Sequence, residues 1–116
     1  MVIEQGDLVW IDFPTSRGSA PAGRRPAVVL QTDRFNRSRL NTVVVVAITS
    51  QLKYAGLPGN VRLSKGEAGL PRSAVVNSTQ IATVDRSYLV EKLGRLSARR
   101  LGEIWEGVRL VLDPAS

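Results

Sequence analysis

Cysteine is absent from the 116 residues, which excludes disulfides, thiol nucleophiles, thiolate zinc sites and iron–sulfur clusters. Histidine is absent as well. Its loss removes the usual general base, the Ser-His and Cys-His pairs, and the commonest metal ligand. Aromatic residues make up 5%, and Trp10, Phe35 and Tyr54 stand too far apart in sequence to indicate the stacking platform of the common RNA-binding sheets. The ten acidic residues are scattered and contain no Asp-x-Asp pair, so a two-metal nuclease centre is not expected. No apolar run nears the roughly 20 residues that span a bilayer. Met1 is followed by Val-Ile-Glu-Gln-Gly-Asp, not by a basic and then apolar leader. The expectation is a soluble, cytoplasmic chain with no membrane partner, no metal and no cofactor.

What is present is a globular composition, 43% apolar and 22% charged. A chain of this length buries roughly two thirds of its unfolded surface, enough for one core, so a single domain over 1–116 is expected. The net charge is +6, and it is unevenly spread. Residues 1–13 carry Glu4, Asp7 and Asp12 with no basic side chain. Residues 14–64 carry Arg17, Arg24, Arg25, Arg34, Arg37, Arg39, Lys53 and Arg62 against Asp33 alone. Arginine dominates the basic residues, and its planar fork suits phosphates and base edges. Such a block is either the footprint of a polyanion or a basic solvated surface.

The first half reads as strands. Leu8–Phe13 is aromatic and β-branched between Gly6-Asp7 and Pro14. Ala27–Leu30 follows Pro26, and Thr42–Thr49 has no polar alternation, which predicts burial on both faces. Shorter strands are expected at Asn60–Leu63, Ser73–Asn77, Gln80–Thr83 and Val90–Arg95. The tail changes period: Leu101, Ile104, Trp105, Val108, Val111 and Leu112 share one helical face, with Ser97 as N-cap and Pro114 as the stop. Gly102 and Gly107 each cost such a helix about 1 kcal/mol, so it needs tertiary packing. The predicted class is mainly β with a C-terminal helix, built as a small curved antiparallel sheet or barrel.

Three polar segments could carry chemistry. The stretch from Thr15 to Pro26 reads as a flexible basic loop with two glycines and three arginines, in which Pro26 restricts the backbone of Arg25 to extended geometry. It lacks the Lys-Ser/Thr of a nucleotide-binding loop. Arg24 and Arg25 could equally be a solvated pair at a turn. Thr49 and Ser50 end the apolar strand, either as the rim of a site or as an ordinary strand end. Asn77-Ser78-Thr79-Gln80 offers amides that can read base edges, or plain turn chemistry.

In order along the chain, several pieces resemble the MazF/PemK family of toxin endoribonucleases. They are Gly6-Asp7-Leu8-Val9-Trp10-Ile11-Asp12-Phe13, Gly18-Ser19, Arg25-Pro26-Ala27-Val28-Val29-Leu30-Gln31, and then Asp33 and Asn36. Ile48-Thr49-Ser50, Leu57-Pro58-Gly59-Asn60-Val61, Gly69-Leu70, Ser73-Ala74-Val75-Val76-Asn77, Gln80-Ile81 and Gly94-Arg95-Leu96-Ser97 follow. The resemblance implies an SH3-like barrel of the MazF/CcdB toxin type, working as a homodimer. It implies a metal-independent enzyme that cuts single-stranded RNA at short sequences and is inhibited by a cognate antitoxin, expected to present an acidic extended segment. Carried over, Arg25 and Thr49 are the catalytic residues. Ser19, Arg24, Asn36, Ser50 and Gln80 are the expected RNA contacts. Two departures bear on the RNA sequence selected: Ala20 stands where an acidic residue often follows Gly-Ser, and Thr79 stands before Gln80 where a carboxylate is common. The competing readings are a CcdB-like gyrase poison and a non-catalytic nucleic-acid-binding barrel.

Overall fold

The computed structural model describes residues 1–15 and 18–115. Ser16 and Arg17, both in the predicted basic loop, lie outside the described residues. Six strands, β1 (Asp7–Phe13), β2 (Gly23–Val29), β3 (Thr42–Thr49), β4 (Val61–Leu63), β5 (Ala74–Asp85) and β6 (Leu89–Arg95), form one antiparallel sheet in the order β4-β5-β3-β2-β1-β6. A one-turn helix α1 (Asp33–Asn36) joins β2 to β3, and α2 (Ala98–Leu112) ends the chain. The mainly β class with a C-terminal helix is as expected.

The uninterrupted apolar run of β3 is explained by two cores, one on each face of the sheet. Val43, Val45 and Ala47 pack with Val9, Ile11, Phe13, Ala27, Val29 and Val84. Val46 and Ile48 face the other way, with Leu8, Val28, Leu63 and Val76, and α2 covers them through Ile104 and Val108. A strand covered on both faces has no position for a polar residue until it ends. The N-cap of α2 is Ser97, whose hydroxyl accepts from the Arg100 amide at 3.1 Å, and the helix stops two residues before Pro114. Val111 and Leu112, expected on the buried face, are instead exposed, because the helix outruns the sheet beneath its last turn.

Other boundaries differ from the sequence expectation. The segments expected as separate strands at Ser73–Asn77 and Gln80–Thr83 are one strand, β5, with a local offset. Val46 pairs with Ile81 and Ile48 with Val76, so Asn77 to Gln80 oppose Ala47 alone. The polar residues bulge out of the ladder, and side chains satisfy them. Ser78 donates from its hydroxyl to the Gly59 carbonyl at 2.7 Å, and its amide donates to Asn60 Oδ1 at 2.9 Å. Helix α1 was not predicted, because a single turn has no periodicity to read. Strand β2 begins at Gly23, four residues before the expected Ala27. Pro26 is tolerated inside it because β3 pairs with β2 only from Ala27 to Val29, so the missing N–H interrupts no ladder on that side.

Candidate active site

Strand register creates the site. The β2–β3 pairs Ala27–Ala47, Val28–Val46 and Val29–Val45 stop where the apolar sequence stops. Continued two residues further, the same register sets Arg25 across from Thr49. There the strands no longer pair, and a cleft of about 210 Å³ opens, lined by Arg24, Arg25, Thr49, Ser50, Gln51 and Arg72 over a floor of Trp10, Pro26 and Ile48. The strand order β5-β3-β2 puts Thr49 in the middle, with Arg25 on one flank and the entry to β5 on the other.

Each polar side chain is held locally. Arg25 donates from Nε to the Ala22 carbonyl at 3.1 Å, which fixes the root of the guanidinium and leaves its two terminal nitrogens for another acceptor. Gly23 lies between them at φ +74°, a backbone conformation that favours glycine. Thr49 Oγ1 accepts from the Gln51 amide at 3.2 Å, so its own proton remains to be donated. Arg24 lies directly across from Asp12 in the β1–β2 register, and its Nε meets Asp12 Oδ1 at 3.1 Å. That carboxylate holds the Arg24 guanidinium above its ordinary pKa by hydrogen bonding and by charge.

The far wall is a pinned turn. Leu70 is buried, its amide donates to the Glu67 carbonyl and its carbonyl accepts from Gly66. Glu67 in turn accepts from Arg100 on α2 at 2.7 Å. Burial opposes ionisation of Glu67, but the Arg100 guanidinium and the Ser64 amide outweigh it and hold the carboxyl below its ordinary pKa. The Leu70–Ala74 wall is therefore tied to the C-terminal helix.

Of the seven residues expected from sequence, Arg24, Arg25, Thr49 and Ser50 line this cleft. Ser19 lies on an exposed turn and Gln80 half-buried on the offset segment of β5, and neither is part of the lining. Asn36 stands apart. It is buried, with Nδ2 donating to the Gln31 carbonyl and Asp33 Oδ1 and its Oδ1 accepting from Gln31 Nε2. Its amide locks α1 to the end of β2, outside the cleft lining. Asp33 belongs to the same knot: the Gln5 amide and then Asn36 lower its pKa. Trp10, Gln51 and Arg72 line the cleft and were not singled out as site residues, since no local motif connects residues that only the sheet brings together.

Comparisons with known proteins fit this geometry. A family model described as the PemK-like, MazF-like toxin of type II toxin–antitoxin systems matches residues 4–112. Endoribonuclease MazF6 of Mycobacterium tuberculosis (strain ATCC 25618 / H37Rv) is 42% identical over 113 residues, which is 97% of this chain and 99% of that protein. The crystal structure of MazF from Deinococcus radiodurans is similar with a TM-score of 0.82 at 31% identity, covering 97% of each chain. A MazE–MazF structure from the same organism is similar with a TM-score of 0.75 at 29% identity, again over 97% of each chain. With nearly its whole length matched in sequence and in fold, the chain belongs to the PemK-like, MazF-like toxin family of type II toxin–antitoxin systems.

Proposed function

We propose that this MazF-type toxin endoribonuclease cuts single-stranded RNA in the β2–β3 cleft without a metal, by attack of the RNA's own 2′-hydroxyl. The observation that carries the proposal is the convergence of Arg25 and Thr49 in one cleft whose described lining contains no carboxylate. A divalent cation would find arginines there rather than anionic ligands, whereas a phosphodiester would find donors. In the reaction the 2′-hydroxyl loses its proton to water as its oxygen bonds to phosphorus, and the bond to the 5′-oxygen breaks as that oxygen takes up a proton from water. The products are a 2′,3′-cyclic phosphate and a 5′-hydroxyl. Arg25 stabilises the charge that builds on the phosphoryl oxygens, and Thr49 donates to the same oxygens. Preorganised donors of this kind are worth about 3–4 kcal/mol each. The guanidinium offers N–H donors and no acceptor for a proton, so its part is electrostatic.

Cutting in EDTA is the direct test. Purified protein incubated with mixed RNAs and EDTA should generate 5′-hydroxyl ends at an undiminished rate. Loss of cutting in EDTA, restored by magnesium, would sink the mechanism. Intact RNA under every condition would favour a non-catalytic binding barrel. A CcdB-like gyrase poison, which acts by binding protein, has no need of the Arg25–Thr49 convergence.

The same proposal has residues 1–116 acting as one domain in the cytoplasm, as a homodimer. Exposed Phe35, Leu40 and Leu112 around an apolar groove support self-association. The inhibitor is a cognate antitoxin. An acidic extended segment would match the basic cleft in charge and could order on binding across several loops. Antitoxin and RNA should therefore compete, and the affinity of both should fall as salt rises. Equilibrium titration of labelled RNA against antitoxin checks this; a ternary complex with both bound at full affinity would place inhibition on a distant surface.

A further inference from the structure

Among the described residues, Arg24 has Asp12 as a partner and Arg25 has its Nε on a carbonyl, but Arg72 has no ion pair or hydrogen bond to the protein. It is exposed, on a short segment held at both ends. Pro71 precedes it with a fixed φ. Leu70 before that is buried, and the preceding turn is closed by Gly66, Glu67 and the Glu67–Arg100 pair. Gly69, at φ +81°, sits so close to the Leu93 carbonyl that a side chain there would collide with it. Three residues further along, Val75 pairs directly with Thr49. The register thus sets Arg72 on the flank of Thr49 opposite Arg25.

Resting on the ribonuclease proposal, we infer that Arg72 is a positioning residue for the RNA backbone. It holds a phosphate neighbouring the scissile one, so that the strand lies across Thr49 with the reacting phosphate at Arg25. A guanidinium without a carboxylate partner, on a rigid turn in a cleft, loses little on meeting a phosphate, because no ion pair has to break first. Its role differs from that of Arg25. A neighbouring phosphate carries the same charge before and during reaction, so Arg72 binds ground state and transition state equally.

The test uses the full chain with a pool of random-sequence single-stranded RNA, cut under multiple-turnover conditions and bound as its uncleavable 2′-O-methyl form. Arg72→Ala should weaken binding and raise KM by roughly tenfold while kcat holds. The slope of log affinity against log salt should flatten by about one. Arg72→Lys should recover most of the binding, since a neighbouring phosphate asks only for a point charge. Arg109→Ala, which removes the same charge from α2 outside the cleft, should keep the wild-type slope. Wild-type binding and slope in Arg72→Ala, while Arg25→Ala is inactive, would overturn this assignment and leave the ribonuclease proposal standing. A fall in kcat at unchanged KM would also overturn it, by placing Arg72 on the reacting phosphate. A wild-type protein that cuts no RNA would remove the ribonuclease proposal and this assignment with it.

Discussion

Arg25→Ala should lower the rate of RNA cutting by roughly a hundred- to a thousandfold, the effect of deleting one preorganised donor at a developing oxyanion. The loss should fall on kcat, because charge accumulates on the phosphoryl oxygens only as the 2′-oxygen attacks. Arg25→Lys should recover little: its ammonium cannot both hold the Ala22 carbonyl and present two parallel donors to phosphate. Thr49→Ala should also remove most activity, and it should disturb the turn into Gln51, whose amide loses its acceptor. Both positions are only partly buried, so the variants should fold. Single-turnover cleavage together with circular dichroism separates lost chemistry from lost structure. Full activity in either alanine variant would show that the cleft is not where RNA is cut.

The largest effect on stability is expected at Gly107, where α2 crosses the β4–β5 corner. A Cβ at that position would run into the Gly59 carbonyl and lie 2.6 Å from Ser78 Oγ. The same Ser78 hydroxyl donates to that carbonyl, so Gly107→Ala would push apart a partly buried hydrogen bond and a backbone contact together. The better helix propensity of alanine returns about 1 kcal/mol, while overpacking of this kind costs about 1–3 kcal/mol and here meets backbone that cannot swing aside. A net loss of about 2 kcal/mol is expected, read as a lower urea midpoint. Gly102 in the same helix supplies the control. Nothing lies within 4 Å of a Cβ there, so Gly102→Ala should gain about 1 kcal/mol. Equal shifts in the two variants would show that α2 is not pressed against the corner.

The contrast between these two glycines marks what the sequence can express. Both read as weak points of an amphipathic helix, and only the packed molecule shows that one is a requirement of close approach and the other is not. Strands β1 and β3 and helix α2 were legible because their signals are local: β-branched runs, turn residues at the ends, a period of 3.6 with Ser97 ahead of it. Arg25 and Thr49 were reachable through a resemblance carried by short motifs around each. Arg72 was not, because its place beside Thr49 depends on the offset in β5, a property of pairing between strands. The partners of Asn36 were illegible for a related reason. An amide in a polar stretch looks available until the Gln31 and Asp33 partners that consume it are seen.

The first and last strands of the sheet are neighbours. β1 pairs with β6, and buried Asp7 finds its ion-pair partner in Lys92, while Arg95 reaches Glu4. A ribosome delivers β1, Arg25 and Thr49 early, yet the wall at Leu70 is held by Arg100, and the outer edge of β1 stays open until residues 89–95 emerge. Contacts this distant in sequence form slowly and late. Until those contacts form, Arg25 and Thr49 have no finished cleft around them. Truncation before β6 should yield a chain with one edge of its first strand open and the Asp7 carboxylate left without its cation, harmless to RNA and prone to aggregate. For an RNA-cutting chain, this order of strands places completion of the cleft after the residues that line its β2–β3 side.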